Sequence, residues 1–451
     1  MKINSPYSIL RANIIMSSTS GESASVDIRN SIAEVRFYEN LYKAYVDARI
    51  VLLDDAGLKN YLSMQGTERI YIAIGDPKKP SETTIEKTFF VSKIADSKRV
   101  NDRSEVLSLE LVEEHVYVNS VKKISRSFTS SIEEMVENIC TNDLGKQIAT
   151  PFFQNSAQGT RKVIVPYMNP LQSVYWMLSR ATTRTGSPYF LSSDLYSNLL
   201  YLSDLDSLMA TPVLNEKLPY RFSQASKSNS EDTEGAFYDL TSYKSRNDEN
   251  TLLLFESGAI GSFYENLDAA TGIASGSHIS VREILTEMYT NETIDDATTQ
   301  SIFDPSLLID GKLSDEYNST YTHQVTSSGT YNQFASYHEE ATLLDENNNL
   351  FESKLKAKNR IIRLMMMKNT IDVGLDGISL FKGKVNVGRR VRILFLNSDT
   401  LNEKANIADQ IDKRKSGDYL ILAISHKLFE ESHDASMRLT KLGDLPKNFT
   451  L

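Results

Sequence analysis

Two regions of this chain, one near each end, are written with a period of two. In the first, Val35 and Phe37 alternate with Glu34 and Arg36, and Ile70, Ile72 and Ile74 alternate with Tyr71 and Ala73 before the turn Gly75-Asp76-Pro77. Leu107, Leu109 and Leu111 then alternate with Ser108 and Glu110. Successive side chains of an extended backbone point to opposite faces, so each run has one apolar face to bury and one to leave in water. Antiparallel sheets covered on one side satisfy that demand. Further runs at 45–53, stopped by Asp54-Asp55-Ala56-Gly57, and at 89–94 bring the count to about five strands in about 95 residues, as a small antiparallel barrel or sandwich requires. The second region has strands at 369–381, with the turn Gly383-Lys384, and at 391–396. The run 419–424 is almost continuously apolar and is expected to be buried on both faces. A final strand carries Met437 and Leu439 in alternation with Arg438 and Thr440.

Between these regions the period changes. Ser130 followed by Glu133 reads as a capping box, and Ile132, Met135, Val136, Ile139 and Cys140 fall at helical spacing. A second helix opens at Asn169-Pro170, carries Leu171, Val174, Tyr175, Leu178 and Ala181 on one face, and closes before Gly186. The runs 189–191 and 199–202 read as a hairpin, and 223–234 as a polar loop. Strands are expected at 236–243 and 252–255, followed by a turn at 258–261. The stretch 268–350 is rich in Ser, Thr, Asn and Tyr and shows one helix, with Ser280 and Glu283 at its start and Val281, Ile284, Leu285 and Met288 on one face. A longer helix over 350–367 sets Phe351, Leu355, Ile362 and Met366 against Lys354, Lys356, Lys358, Arg360 and Arg363, read as a solvated basic face.

The expected fold class is α+β and β-rich. It has two small antiparallel β-barrel domains, an α+β domain between them, and an inserted module in the second barrel. The boundaries are an N-terminal arm over 1–25, a first barrel over 26–128, the α+β domain over 129–217, a discontinuous second barrel over 218–268 plus 369–443, the insertion over 269–368, and a tail over 444–451.

Chemistry is sparse. Cys140 is the single cysteine, which rules out an internal disulfide and any multi-cysteine zinc site, and it falls on a helix face where a core residue is expected. The six histidines, His115, His278, His323, His338, His426 and His433, show no H-E-x-x-H or other metal spacing. His426 and His433 flank a hairpin turn and are positioned to meet across it. Gly374, Gly377, Gly383 and Gly388 match no phosphate-binding pattern and read as hairpin turns. The carboxylate pairs Glu113-Glu114, Glu339-Glu340 and Glu430-Glu431 are adjacent, which on a strand sends them to opposite faces. The run Met365-Met366-Met367 reads as helix packing, and the N-x-[ST] sequons at Asn291, Asn318 and Asn448 as chance. No apolar run approaches the roughly 20 residues of a membrane span, and no signal-peptide core is expected at the N-terminus. A net charge of −10 argues against tight contact with nucleic acid. No catalytic, cofactor-binding or metal-binding residue is assigned, no cofactor and no enzyme activity are expected, and the pattern does not reveal which residues form an interaction surface.

Several segments resemble the central baseplate hub proteins of contractile-tailed bacteriophages. The C-terminal third is the closest: LFESKLKAKNRIIRLMMMKN leads into TIDVGLDGISLFKGKVNVGRRVRILFLN and then GDYLILAISHKLFEESHDASMRLTKL. The segment NPLQSVYWMLSRATTRTGSPYFLSSDLYSNLLYLSDLDSL is similar to the second domain of that family, and VRFYENLYKAYVDARIVLLDDAGL with ERIYIAIGD to its first barrel. The resemblance implies a homotrimer in which duplicated barrels build a pseudo-six-fold ring. Such a ring joins a trimeric central spike to a hexameric tail tube, and DNA passes through its lumen. Implied partners are the central spike, tail tube or tube-initiator proteins, baseplate wedge proteins and the tape measure protein, with no specific nucleic acid and no membrane. The implied location is the virion tail baseplate, assembled in the bacterial host cytoplasm. Two other readings remain open: a tail or surface adhesion protein using the Tyr/Ser/Thr-rich insertion, and a wall hydrolase hidden in the α+β region.

Overall fold

The computed structural model describes residues 8–17, 23–55, 57, 68–76, 83–99, 104–150, 161–179, 181–183, 186–222, 239–245, 251–268, 272, 274–290, 308–326, 352–368, 370–377, 387–396, 411–412, 415–429 and 432–443. The first region folds as β1 (Ser8–Ser17), β2 (Ser23–Asp27), β3 (Ile32–Asn40), β4 (Asp47–Asp54), β5 (Arg69–Gly75), β6 (Thr83–Arg99) and β7 (Glu105–Val112). They pair in the order β3-β4-β7-β6-β5-β1-β2, with each neighbouring pair antiparallel. The period-two expectation is met residue by residue: Val35, Phe37, Ile70, Ile72, Ile74, Leu107, Leu109 and Leu111 all lie in one buried cluster. Within the stretch expected as an arm, β1 pairs with β5, placing Ala12 and Ile14 in the same core.

The middle of the chain contains α1 (Glu114–Val121), β8 (Ile124–Ser130), α2 (Ile132–Leu144), β9 (Ile148–Ala149), β10 (Arg161–Met168), α3 (Pro170–Leu178), β11 (Tyr189–Ser193), β12 (Leu200–Asp204) and α4 (Leu205–Ala210). Helix α2 buries Ile132, Met135, Val136, Ile139 and Cys140, as its spacing predicts. Its cap is one residue later than expected: the Ser131 side chain accepts from the Glu134 N–H, and the Glu134 carboxylate accepts from the Ser131 N–H. Ser130-x-x-Glu133 and Ser131-x-x-Glu134 have identical spacing, and Ser130 is held as the last residue of β8, paired with Arg161. The 189–191 and 199–202 runs form the expected hairpin, β11 with β12.

The rest of the chain comprises β13 (Tyr220–Phe222), β14 (Leu240–Ser245), α5 (Thr251–Glu256), β15 (Gly261–Asp268), β16 (Ala274–Ser280), α6 (Val281–Thr290), β17 (Leu308–Ile309), β18 (Lys312–Leu313), β19 (Thr320–Thr326), α7 (Glu352–Lys368), β20 (Thr370–Asp376), β21 (Arg390–Phe395), β22 (Gly417–Phe429) and β23 (Ser432–Gly443). The run at 252–255, expected as a strand, lies within α5; four apolar residues without a period do not distinguish helix from strand. A three-stranded sheet, β16-β15-β19, and the short pair β17-β18 appear where the polar composition gave no strand pattern. The capping box of α6 forms between Ser280 and Glu283, and Val281, Ile284 and Leu285 are buried. Strand β15, upstream of the 269–368 stretch, pairs with β16 and β19 inside it. Helices α6 and α7 share one apolar core with β20–β23. The 223–234 loop, the Gly383-Lys384 turn and the 444–451 tail lie outside the described residues.

All the strands of the two terminal regions belong to one 13-stranded sheet. Strand β22 accounts for this. Its first half pairs with β21, its second half pairs with β3, and along its length it pairs with β23. A separate bridge between Arg221 and Asp239 brings β13 beside the start of β14.

Candidate functional site

The β3–β22 seam is where three units of the chain meet. On β3 the buried face is Val35, Phe37 and Glu39, so an acid stands where the alternation calls for a third apolar residue. On β22 the buried series Ile424, His426 and Leu428 has an imidazole at its centre. The two intruders meet: Glu39 Oε2 lies 3.1 Å from His426 Nε2. The other Glu39 oxygen accepts from the Leu195 N–H at 3.1 Å, from the loop between β11 and β12. One carboxylate therefore touches the first sheet region, the last strands and the α+β unit. Leu195 itself is buried in the core of β1–β7, so the hairpin tip is embedded in its neighbour.

His426 continues the row. Its Nδ1 lies 3.2 Å from His433 Nε2 on β23, which brings together the two histidines that the sequence placed across a hairpin. Burial, with the neighbouring His426, pulls His433 down to about 2 from its ordinary 6.5. Behind His433, the Gly377 N–H donates to the His433 carbonyl at 2.8 Å. A Cβ at Gly377 would run into the His433 imidazole.

A second polar cluster lies on the other side of the same hairpin tip. Glu113, which is 2% exposed, has Lys87 Nζ at 3.0 Å and Lys146 Nζ at 3.5 Å. Its second oxygen accepts from the Val46 N–H at 2.8 Å and the Ser193 hydroxyl at 3.1 Å. Burial alone would raise this carboxyl, but Lys87 and Lys146 outweigh it and hold the group below the usual carboxylate range. Lys87 also donates to the Asp194 carbonyl and Lys146 to the Asn198 side chain, so both lysines grip the same loop. His115 touches the Ala44 carbonyl at 2.7 Å, and burial pulls its imidazole down. Glu113 and Glu114 are divided by burial, one inside and one exposed at the start of α1.

Helix α7 corrects the expectation of a solvated basic face at Lys358 and Arg363, whereas Arg360 is exposed as expected and Lys354 and Lys356 are half-buried. Lys358 is buried and paired with Glu287 of α6 at 2.7 Å, and burial pulls its ammonium down. The Arg363 guanidinium donates to the Tyr189 carbonyl at 2.6 Å and to Asn359 Oδ1 at 2.7 Å, and it packs over the Phe190 ring. Asn359 in turn donates to the Ala181 carbonyl at 2.9 Å, just past the end of α3. Arg363 and Asn359 thus form an inner contact with the α+β unit. Met365 and Met366 are in the core, as expected, whereas Met367 is exposed.

Other residues singled out by sequence are scattered. His278 bonds to Asn318 and the Asp315 carbonyl, and His323 pairs with Glu265 at the surface. Cys140 is buried, and burial pushes its thiol up to about 12. Gly374 lies within β20 and Gly388 in a left-handed turn at φ +81°. His338, Gly383, Glu339-Glu340 and Glu430-Glu431 lie outside the described residues. Among the described residues, no group of three or more His, Cys, Asp or Glu side chains is arranged to hold a metal ion. No described helix is long and apolar enough to cross a membrane. An open groove of about 540 Å³ between α1 and α3 is lined by Tyr45, Val116, Leu171, Tyr175 and Trp176. On the same unit Val121, Ile164 and Tyr167 are exposed. Sequence reasoning did not single out Glu39, Lys87, Lys146, Asn359 or Leu195. The detectable signal was a polar residue at a core position of an alternation, available for Glu39 and Lys87 but not for the others.

Both polar clusters are closed to solvent. Their chemistry is that of fasteners, in which charges excluded from water are satisfied only while the units stay together.

No protein-family model matches the chain, and no curated protein matches it in sequence. Among solved structures, it is similar to the tail protein from Neisseria meningitidis MC58. The identity is 10%, the coverage is 95% of this chain and 96% of that one, and the TM-score is 0.50. It is also similar to the 43 kDa tail protein of prophage MuSo2 from Shewanella oneidensis, at 10% identity over 95% of this chain and 98% of that one, with a TM-score of 0.51. The coverage is nearly whole-length on both sides. The chain has the β-rich fold of these phage tail proteins, with one large antiparallel sheet.

Proposed function

We propose that this protein is a structural component of a contractile phage tail, the central baseplate hub, and that it acts as a scaffold rather than an enzyme. The observation that carries this reading is the double allegiance of β22, which makes two separately cored β modules into one continuous sheet. Two such modules per chain, repeated three times around an axis, give six positions on which a hexameric tube can sit. The same three-fold ring offers a trimeric spike a matching seat.

In this reading 26–128 and 218–268 plus 369–443 are tube-forming barrels, 129–217 is the unit that braces them, and 269–368 is an insertion. The Arg221–Asp239 bridge supports a barrel for the second, because it leads the path β22-β21-β13 to β14, β20 and β23 and so back to β22. The partners in this reading are those that the resemblance to hub proteins implies: a homotrimer, the spike, the tube or its initiator, baseplate wedges and the tape measure protein. A lumen lined without strong positive charge would let DNA pass without holding it, in keeping with a net charge of −10.

The test is the absolute mass of the purified protein by light scattering, alone and co-expressed with the spike. Three times 50.8 kDa, with a six-lobed ring in electron micrographs, is the expected result. A dimer or tetramer in both preparations would overturn the hub reading and favour an adhesion protein.

A further inference from the structure

We propose that the groove between α1 and α3 is a docking site for an amphipathic helix of a partner protein, apolar along one face and acidic at one end. The argument starts from what α1 leaves uncovered. Four of its eight residues, Val116, Tyr117, Val118 and Val121, are apolar, yet the helix buries only His115. Val121 is 81% exposed. Across the groove, α3 buries Leu171, Val174 and Met177 and leaves Tyr175 and Trp176 half-buried. The result is an open groove of about 540 Å³ with Val116, Leu171, Tyr175 and Trp176 on its walls. Apolar surface of this kind, rimmed by polar groups, is the usual mark of an interaction site.

The walls are fixed. The Leu171 N–H donates to Asn119 Oδ1 at 2.8 Å, and Asn169 Nδ2 donates to the Asn119 carbonyl at 2.6 Å and the Lys122 carbonyl at 3.2 Å. Tyr175 is held through its hydroxyl, which accepts from the Ala44 N–H at 2.8 Å. A groove formed before its partner arrives costs little ordering on binding. One walled by two helices suits a third, whose side chains at i, i+3, i+4 and i+7 fall in one line. Charge chooses which helix. At the Asn119 end, Lys123 Nζ donates to Asn169 Oδ1 at 2.8 Å and Lys122 Nζ to the Asp143 carbonyl at 2.7 Å. Both exposed ammonium groups thus rest on uncharged oxygens, while the Asp143 carboxylate is taken by Arg126. At the Tyr45 end, Lys43 lies over the Tyr45 ring and is neutralised by Asp47 at 2.6 Å. There α1 also opens, on the exposed Glu114. Positive charge is therefore concentrated at the Lys122–Lys123 end, where the acidic end of the docked helix meets it. If that end is the C-terminus, the helix adds its own negative pole.

The site does not depend on the tail reading, and its failure would leave that reading untouched. Trp176, the single tryptophan of the chain, lines the groove and reports on it. The experiment titrates the full-length protein with two synthetic helical peptides free of aromatic residues. Both carry leucines at i, i+3, i+4 and i+7; one ends in a run of glutamates, the other in a run of lysines. The expected result is a saturable blue shift of Trp176 emission with the acidic peptide, weakened by added salt. The lysine-ended peptide is expected to bind at least about tenfold more weakly, and Lys122→Glu combined with Lys123→Glu to remove the preference. No saturable shift with the acidic peptide, or equal affinity for both peptides, overturns the site in the wild-type protein alone, whether or not the variant folds. If Trp176 in the free protein is as shielded from acrylamide as a core residue, the groove is already filled and the proposal falls. A Trp176 shift that tracks self-association without peptide would give the groove to a second copy of this chain and equally overturn it.

Discussion

The Glu39 carboxylate and the His426 imidazole touch at 3.1 Å although 387 positions separate them in the chain. Few contacts are more non-local, and this one is made by two groups that a sheet core would exclude unless each satisfied the other. Because Glu39 also holds the Leu195 N–H, its removal releases three units at once.

Glu39→Ala is therefore expected to destabilise the protein by about 2–4 kcal/mol, because it takes the acceptor from two buried groups, His426 Nε2 and the Leu195 N–H, at about 1–2 kcal/mol each. Glu34, five positions earlier on the same strand, pairs with Arg36 and Lys427 in a partly exposed site. Glu34→Ala should cost about 1 kcal/mol or less. Urea denaturation of both variants checks the contrast; equal losses would mean the Glu39 row is not a fastener.

Most of the fold was legible in the sequence where a period was sustained. The strands with Ile70, Ile72 and Ile74, and the helix with Ile132, Met135 and Ile139, form where spacing demanded them, because burying one face settles both register and element type. The small sheet around Tyr264 was not legible, since its strands are polar and rely on neighbours rather than on their own alternation. The site was legible only in half. His426 and His433 were paired from the hairpin, but their third member sits on β3, and no local pattern encodes a contact across the whole chain. The basic face of α7 misled for a related reason: Lys358 and Arg363 look solvated until another unit covers them, and only tertiary packing decides that.

The Glu113 cluster predicts an acid response with a defined sign. Lys87 and Lys146 hold the folded carboxyl below its ordinary 4.5, so the group stabilises the fold above that value and the benefit fades as pH falls through the carboxylate range. Lys87→Met removes the nearer ammonium, at 3.0 Å. The variant should lose about 3 kcal/mol near neutral pH and show a shallower decline between pH 5 and pH 3. Urea midpoints measured across that range test both statements, and a parallel, unshifted profile would sink the pairing argument.

Gly377 sits where any side chain would enter the space of the His433 imidazole. Gly377→Ala should force His433 out of its place and cost about 1–3 kcal/mol, as overpacking of a closed core does. Combining it with His433→Ala should recover part of the loss, because the small side chain at 433 vacates the volume the new methyl needs. Thermal unfolding of the two single variants and the double variant gives the coupling. Strict additivity would show that the glycine serves the backbone and not the histidine.

Cys140 closes the list of groups whose behaviour can be read from burial. The thiol faces the core of α2 among Met135, Val136 and Ile139, and burial, reinforced by Asp143, pushes it up to about 12. Thiolate is the reactive form, so the native protein at pH 8 should react with a disulfide reagent orders of magnitude more slowly than the chain in denaturant. Because access requires opening of the α2 core, the native rate should rise with urea well below the main transition only if that unit opens by itself. A rate that instead follows global unfolding would mean that the hairpin tip, gripped by Lys87, Lys146 and Glu39, binds the α+β unit into one cooperative block with the sheet. The grip of these three side chains makes the second behaviour the expected one.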